Sequence, residues 1–306
     1  MGFRIHPWLV VALVLLLCAA AVMGLWIWRG RGEATSSWLA QRLPAGDGLT
    51  VGIDVEALRR GGILRAIDQT GIGGEPDYQD FVRETGFNYE QDLDYVLIRF
   101  AGDRNFFLLK GRFNWPQLRR YAEQQRGVCR NAVCEMEGSS PSRVISFLPL
   151  RANVMAMAVG PEPWLVWELA QSAKPLREEA PPAAAIWIRL RPSDLKEAKL
   201  PEALRQVLAA MGESTRLQFT LSAASDGFEA LLEVVCRDAA EASLLADQLQ
   251  SATMALSRMN SSRTSGDGQS LTDVLAGGTF RAENNRLLGR WPIERAFAEG
   301  ILGVSR

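Results

Sequence analysis

The stretch from Trp8 to Trp28 (WLVVALVLLLCAAAVMGLWIW) carries no charged side chain, and it constrains the chain before any other feature does. At about 1.5 Å of rise per residue, a helix over this run spans roughly 30 Å, the thickness of a bilayer core. Trp8 at one end and Trp26 and Trp28 at the other stand where interfacial aromatic belts form, with Arg4 before the run and Arg29 and Arg31 after it. The reading is an uncleaved single-pass anchor. Two rivals stand beside it. A cleaved signal peptide would use Ala19-Ala20-Ala21, but the apolar run continues past them to Trp28. A lipoprotein would use Cys18, but Leu17 occupies the place of a small residue. Arg4 and the amino terminus compete with Arg29 and Arg31, so the positive-inside rule barely separates the two orientations. The expected arrangement is a short cytoplasmic tail, residues 8–28 in the inner membrane, and a body on its outer, periplasmic face.

The body beyond the anchor is long enough to bury a real core. The chain has 306 residues, 47% of them hydrophobic and 23% charged, an ordinary globular composition. Residues 1–32 hold three arginines and no acid, which leaves 31 basic against 35 acidic residues beyond them, a net charge of −4. A mildly acidic body has no broad attraction for nucleic acid. The one histidine, His6, precedes the anchor. Its absence from the body removes Ser-His and Cys-His catalysis and most transition-metal sites, so no metal or cofactor is expected.

Of the four cysteines, Cys18 lies in the anchor and Cys236, in LLEVVC, reads as a buried strand residue. Cys129 and Cys134 (VCRNAVCEM) can close a tight loop by a disulfide in an oxidising compartment. Two free thiols are the alternative. Half of a metal site is a poor one, because no second pair completes it.

Apolar alternation predicts strands at Leu49–Val55, Ile186–Leu190, Leu217–Leu221 and Phe228–Cys236. Turn residues Gly102-Asp-Arg-Asn105 join Tyr95–Phe100 to Phe106–Gly111 as a hairpin, and Arg151-Ala-Asn153 join Val144–Leu148 to Val154–Val159. Asn114 with Gln117, and Asp238 with Glu241, open helices in capping-box spacing. Pro163 and Pro292 each suit the first turn of a closing helix. The order strand, helix, hairpin, helix, hairpin, helix occurs twice. The expected fold is therefore α+β: an N-terminal transmembrane helix (residues 1–32 with its tail), then two tandem ferredoxin-like (split βαβ) repeats with antiparallel sheets. Their expected boundaries are 33–173 and 184–306, with the proline-bearing stretch 174–183 as linker. One fused domain with a single extended sheet is the alternative.

Candidate chemistry is thin. Gly71-Ile-Gly73-Gly74 lacks the spacing and the Lys-Ser/Thr ending of a phosphate loop and reads as a turn. Asp92/Asp94 and Glu135/Glu137 are carboxylate pairs, but residues two apart on a strand give no cleft for two-carboxylate hydrolysis. Ser139-Ser140 and Ser261-Ser262 have no nearby base. Trp164 and Trp167 share one helix face, either as core or as an exposed partner surface, with core the preferred reading.

The phrase TGFNYEQDLDYV (residues 85–96), followed by GRF at 111–113, resembles a group of uncharacterised bacterial single-pass membrane-anchored proteins that share TGF, four residues, DLD, one residue and Val. The match covers mainly residues 45–170. The resemblance implies an anchored envelope protein and assigns no site residue. The expected function is a non-enzymatic scaffold or interaction module that binds another protein or itself. A carrier or sensor of an apolar ligand, held between sheet and helices, and a carboxylate-only hydrolase are the alternatives.

Overall fold

The computed structural model describes residues 34–62, 64, 75–138, 140, 143–171, 180–191, 216–224, 227–260 and 271–294, with Asp47 left out of the first stretch. Among these residues no helix is long and apolar enough to cross a membrane, and the run Trp8–Trp28 lies outside them. The same holds for Gly71–Gly74 and most of the 174–183 linker.

The sheet begins with β1 (Leu49–Asp54), β2 (Leu93–Ala101), β3 (Arg104–Gly111) and the short hairpin β4 (Val128–Arg130) and β5 (Val133–Glu137). It continues with β6 (Val144–Arg151), β7 (Val154–Gly160), β8 (Ile186–Leu190), β9 (Arg216–Ala224), β10 (Gly227–Val235), β11 (Thr279–Glu283) and β12 (Arg286–Glu294). All belong to one sheet in the order β11-β12-β10-β9-β8-β1-β2-β3-β7-β6-β5-β4, and the paired neighbours are antiparallel. The chain is thus α+β with a large antiparallel sheet.

The ferredoxin-like expectation is corrected here. A split βαβ unit sets its first and third strands side by side and parallel. Here β1 takes β2 as an antiparallel neighbour, Val51 opposite Ile98 and Ile53 opposite Val96. Its other edge takes β8, with Val51 opposite Ile188 and Ile53 opposite Ile186. The two halves are therefore not separate modules, since residues 36–306 form one compact unit. The strand order alone is mirrored in the two halves. Outward from the β1–β8 pair, one half runs β1-β2-β3-β7-β6 and the other β8-β9-β10-β12-β11.

Period-two alternation gives the sheet two chemically different faces. On one, an apolar row crosses six strands: Phe107, Ile98, Val51, Ile188, Phe219 and Leu232. Helices cover it. α1 (Ser36–Ala40) belongs elsewhere, but α2 (Val55–Arg60), directly after β1, buries Val55 and Leu58 against Leu93 and Val96. α3 (Pro76–Thr85) and the single turn α4 (Tyr89–Asp92) lead into β2. α5 (Trp115–Gln124) buries Leu118 and Ala122 against Phe147 and Met155. Asn114 caps α5 by accepting from Gln117 N at 3.3 Å, as its spacing predicts. α7 (Ala239–Asn260) buries Ala242, Leu245 and Ala246 against Val234 and Leu287, and α8 (Leu271–Ala276) comes after it.

The other face is asymmetric. In the first half Leu97, Leu108, Ala156 and Leu148 form a buried row. A 3-10 turn (Pro163–Leu165) and α6 (Val166–Gln171) cover this half with Leu165, Val166 and Leu169, also buried. Each such side chain contributes roughly 1.5–3 kcal/mol. The equivalent row in the second half is Thr220, Leu231, Arg290 and Thr279, which is mostly polar.

A second correction concerns Pro292, which lies inside β12 rather than opening a helix. β11 pairs only with Arg286–Arg290, so Pro292 lies past its end, where β12 is an edge and a missing N–H costs no ladder bond on that side.

Candidate functional site

Trp164 and Trp167 lie on the turn and helix that close the first half, and neither is core: they are 63% and 44% exposed. This corrects the preferred reading of the pair. Pro163 opens a tighter 3-10 turn, and that phase aims Leu165, Val166 and Leu169 at the sheet instead. The approach is close. A Cβ on Gly160, at the end of β7, would lie 2.3 Å from Leu165 Cδ1. Polar contacts tie α6 down, with Arg104 Nη1 3.3 Å from Glu168 Oε1 and Arg42 Nη1 donating to Ala170 O at 3.2 Å. The guanidiniums of Arg42 and Arg151 lie 4.6 and 4.1 Å from the ring centroid of Trp38. Two large aromatic surfaces thus project from a helix whose opposite side is locked into the core.

Cys129 and Cys134 face each other directly in the β4–β5 register, and their sulfurs are bonded. The turn between the strands uses Asn131 at φ 54°, a left-handed conformation that asparagine tolerates. Arg119 on α5 holds this hairpin by donating to Asn131 O at 3.0 Å and Cys129 O at 2.9 Å. Cys236 is buried and free, and burial pushes its thiol pKa up, the reverse of what a nucleophile needs.

The phrase that carries the family resemblance is a joint in the fold. Thr85, fully buried, donates to Phe81 O at 2.6 Å and accepts from Phe87 N at 3.2 Å. Gly86 terminates α3 at φ 68°. Phe87 stacks on Phe113 with ring centroids 5.4 Å apart. Asp92 accepts from Asn88 N at 2.9 Å and pairs with Arg112 at 3.0 Å. A Cβ on Gly111 would lie 2.2 Å from Asp92 O. The two sequence phrases therefore clasp each other, and the Asp92 carboxylate is engaged by Arg112 and the Asn88 N–H.

Among the described residues the other acids form no catalytic constellation. Glu135 lies opposite Ser146 in a strand pair. Glu241 receives hydrogen bonds from the Arg237 side chain and backbone N–H, which hold its carboxyl below the usual range, whereas a general acid needs the opposite shift. Among the described residues no group of three His, Cys, Asp or Glu could hold a metal. A concavity of about 780 Å³ lies over the second half of the sheet, open to solvent and lined by Gln218, Thr220 and Arg290 together with Ala183, Leu231 and Phe280, among others. It is not the enclosed apolar cavity that a carrier of an apolar ligand requires.

Sequence reading missed a polar line on the other side of the β1–β8 pair. Trp187 donates to Tyr95 Oη at 3.0 Å. Burial raises the Tyr95 pKa, the Trp187 hydrogen bond opposes that shift, and Asp54 adds to it. Further along the strands, Arg99, Thr50, Arg189 and Gln218 stand in register on four adjacent strands. Each arginine looks like a solvated strand residue in isolation, because its neighbours across the sheet lie tens of positions away in the chain.

These features define an α+β protein with one continuous antiparallel sheet, two exposed tryptophans at one side and a buried arginine pair at its centre. No family model and no curated protein matches the chain. Among solved structures, crystal form IV of TP0453 is 11% identical with a TM-score of 0.47, covering 89% of this chain and 99% of that one. Crystal form III of TP0453 is 11% identical with a TM-score of 0.48, covering 87% and 96%. Likeness at this level speaks to neither activity nor partner.

Proposed function

We propose that the protein is a non-enzymatic, membrane-anchored component of the cell envelope whose α+β body binds another protein through Trp164 and Trp167. The observation that carries this reading is the exposure of both rings on a helix otherwise fixed by its buried face. Tryptophan is among the residues most enriched at binding hot spots, and exposing two adjacent rings without a partner is unfavourable. The uncharged run Trp8–Trp28 supports the anchor, and the Cys129–Cys134 bond suits an oxidising compartment such as the outer face of the inner membrane.

The test is photo-crosslinking of the full chain in native membranes, with the crosslinking amino acid at position 164 and, as control, at exposed Leu244 on α7. A discrete adduct from 164 alone, lost on competition by the untagged wild-type chain but not by W164A/W167A, is expected. No reproducible adduct, or equal competition by the double variant, overturns the reading.

A further inference from the structure

β7 and β12 are the last strands of their halves, and each follows a two-residue hairpin turn, with Val154 opposite Arg151 and Arg286 opposite Glu283. Because β1 and β8 are antiparallel and the strand order is mirrored about them, each face of the sheet in one half continues as the same face in the other. Counted from Val154 and Arg286, Ala156 corresponds to Leu288 and Ala158 to Arg290. All four lie on the face opposite the helix-covered row. On the next strand inward, Phe106 opposite Ala158 corresponds to Leu231 opposite Arg290. Phe106 is 1% exposed, whereas Leu231 is 40% exposed and lines the concavity over the second half together with Leu288.

The same count runs on past the strands. Leu165, Val166 and Leu169, buried over this face in the first half, correspond to Phe297, Ala298 and Ile301. The exposed pair Trp164 and Trp167 corresponds to Ala296 and Glu299. Apolar residues therefore recur at all three positions that meet the sheet, and the acid Glu299 falls at a position that faces solvent in the first half. The charges on the second-half face are engaged with one another, Arg290 with Glu229 and Arg286 with Glu233 at 2.8 Å. What the face leaves in water is the apolar surface of Leu231, and covering it is favourable.

We infer that residues 295–302 of this chain dock in that concavity, turning Phe297, Ala298 and Ile301 towards Leu231 and Leu288, and close the second half as Leu165, Val166 and Leu169 close the first. The chain reaches the surface directly, because β12 ends at Glu294 and its residues Pro292 and Glu294 share the face of Leu288. The inference is independent of the tryptophan surface. It also separates closing from binding: Ala296 and Glu299 stand where the first half has Trp164 and Trp167, so covering a half requires no large ring at either position.

The experiment uses the full chain in uncharged detergent micelles. A photo-crosslinking amino acid at position 297 is expected to give adducts within the same chain, on residues 229–233 or 286–290, and one at position 299 at least fivefold fewer. Thiol alkylation tests the same contact without a bulky group. L231C is expected to react at least threefold faster once F297S/I301S is added, while E299S leaves its rate unchanged. L244C, at an exposed position on α7, should react equally in all backgrounds, and buried Cys236 should stay unlabelled, which separates uncovering from unfolding. Adducts confined to residues 172–184 would give the concavity to the proline-bearing linker, and adducts between chains would give it to a second copy. Either result overturns the inference, as do an absence of adducts from position 297 and an alkylation rate at position 231 that ignores F297S/I301S.

Discussion

Trp187 on β8 reaches across β1 to donate its indole N–H to the Tyr95 hydroxyl on β2, 3.0 Å away, and it can do so only because Gly52 lies between them. A Cβ on Gly52 would stand 2.1 Å from Trp187 Nε1 and 2.3 Å from Cε2. The indole therefore lies flat over the glycine and staples the strand pair that joins the two halves. G52A must displace a fully buried ring, so it is expected to destabilise the protein by about 3 kcal/mol or more, at or above the usual range for overpacking. Urea denaturation followed by tryptophan emission checks this, and a midpoint within error of wild type would mean that Trp187 is not where the structure places it.

Y95F keeps the ring and removes the acceptor, leaving a buried indole N–H unpaired at a cost of about 1–3 kcal/mol. The same hydroxyl gives an alkaline signature. Because burial raises the Tyr95 pKa in the folded state, its contribution to stability is complete below the ordinary tyrosine value and is lost as pH rises through the folded value. Wild type is therefore expected to lose stability more steeply than Y95F above about pH 10. Parallel slopes in denaturant melts across that range would sink the assignment.

Most strands are legible in the sequence because their burial is one-sided. Leu49, Val51 and Ile53 alternate, and so do Ile186, Ile188 and Leu190, and each set lies on the helix-covered face. What alternation does not encode is the neighbour. Val51 would pack as well beside a parallel third strand as beside Ile98, so the split βαβ topology is a fair expectation and an incorrect one. The capping pairs at Asn114 and Asp238 are readable because caps are local, with Glu241 N donating to Asp238 Oδ1 at 2.8 Å. The orientation of Trp164 depends on a 3-10 turn shifting the helical phase, and the arginine cluster on four strands meeting. Neither is written in any short window of sequence.

The closing helix of the first half separates packing from binding. L169A removes a fully buried side chain and is expected to cost about 2–5 kcal/mol. W164A/W167A removes exposed rings and is expected to shift stability by less than about 0.5 kcal/mol. Thermal melts of both variants check the contrast. A double tryptophan variant as unstable as L169A would return those rings to the core and take the docking surface with it.

At the start of α7 the Glu241 carboxylate accepts from Arg237 N at 2.8 Å and from its guanidinium at 3.1 Å. These bonds lower its pKa, so the contribution is present above the ordinary carboxyl value and is lost as pH falls through the lowered one. At pH 7 E241Q is expected to cost roughly 0.5–1 kcal/mol, because the Arg237 guanidinium faces solvent and water screens the pair. The gap should close on acidification below about pH 4. A gap that persists in melts at pH 3 would assign the effect to helix capping geometry rather than charge.

The disulfide at the sheet edge offers the last test, because it reports stability and location together. Cys129 and Cys134 close a short loop, for which loop entropy gives about 2 kcal/mol. C129S/C134S is expected to lose that much, measured as a lower denaturation midpoint with an unchanged slope, and reductant should bring wild type to the same value. Cys236 is buried and serves as an internal control that labels only on unfolding. In intact cells, an impermeant thiol reagent should label neither Cys129 nor Cys134 until a reductant is added, and both afterwards without lysis. If both thiols are already free, and reached only once the cells are broken, the body faces a reducing interior and the periplasmic placement is wrong, whatever the melts show.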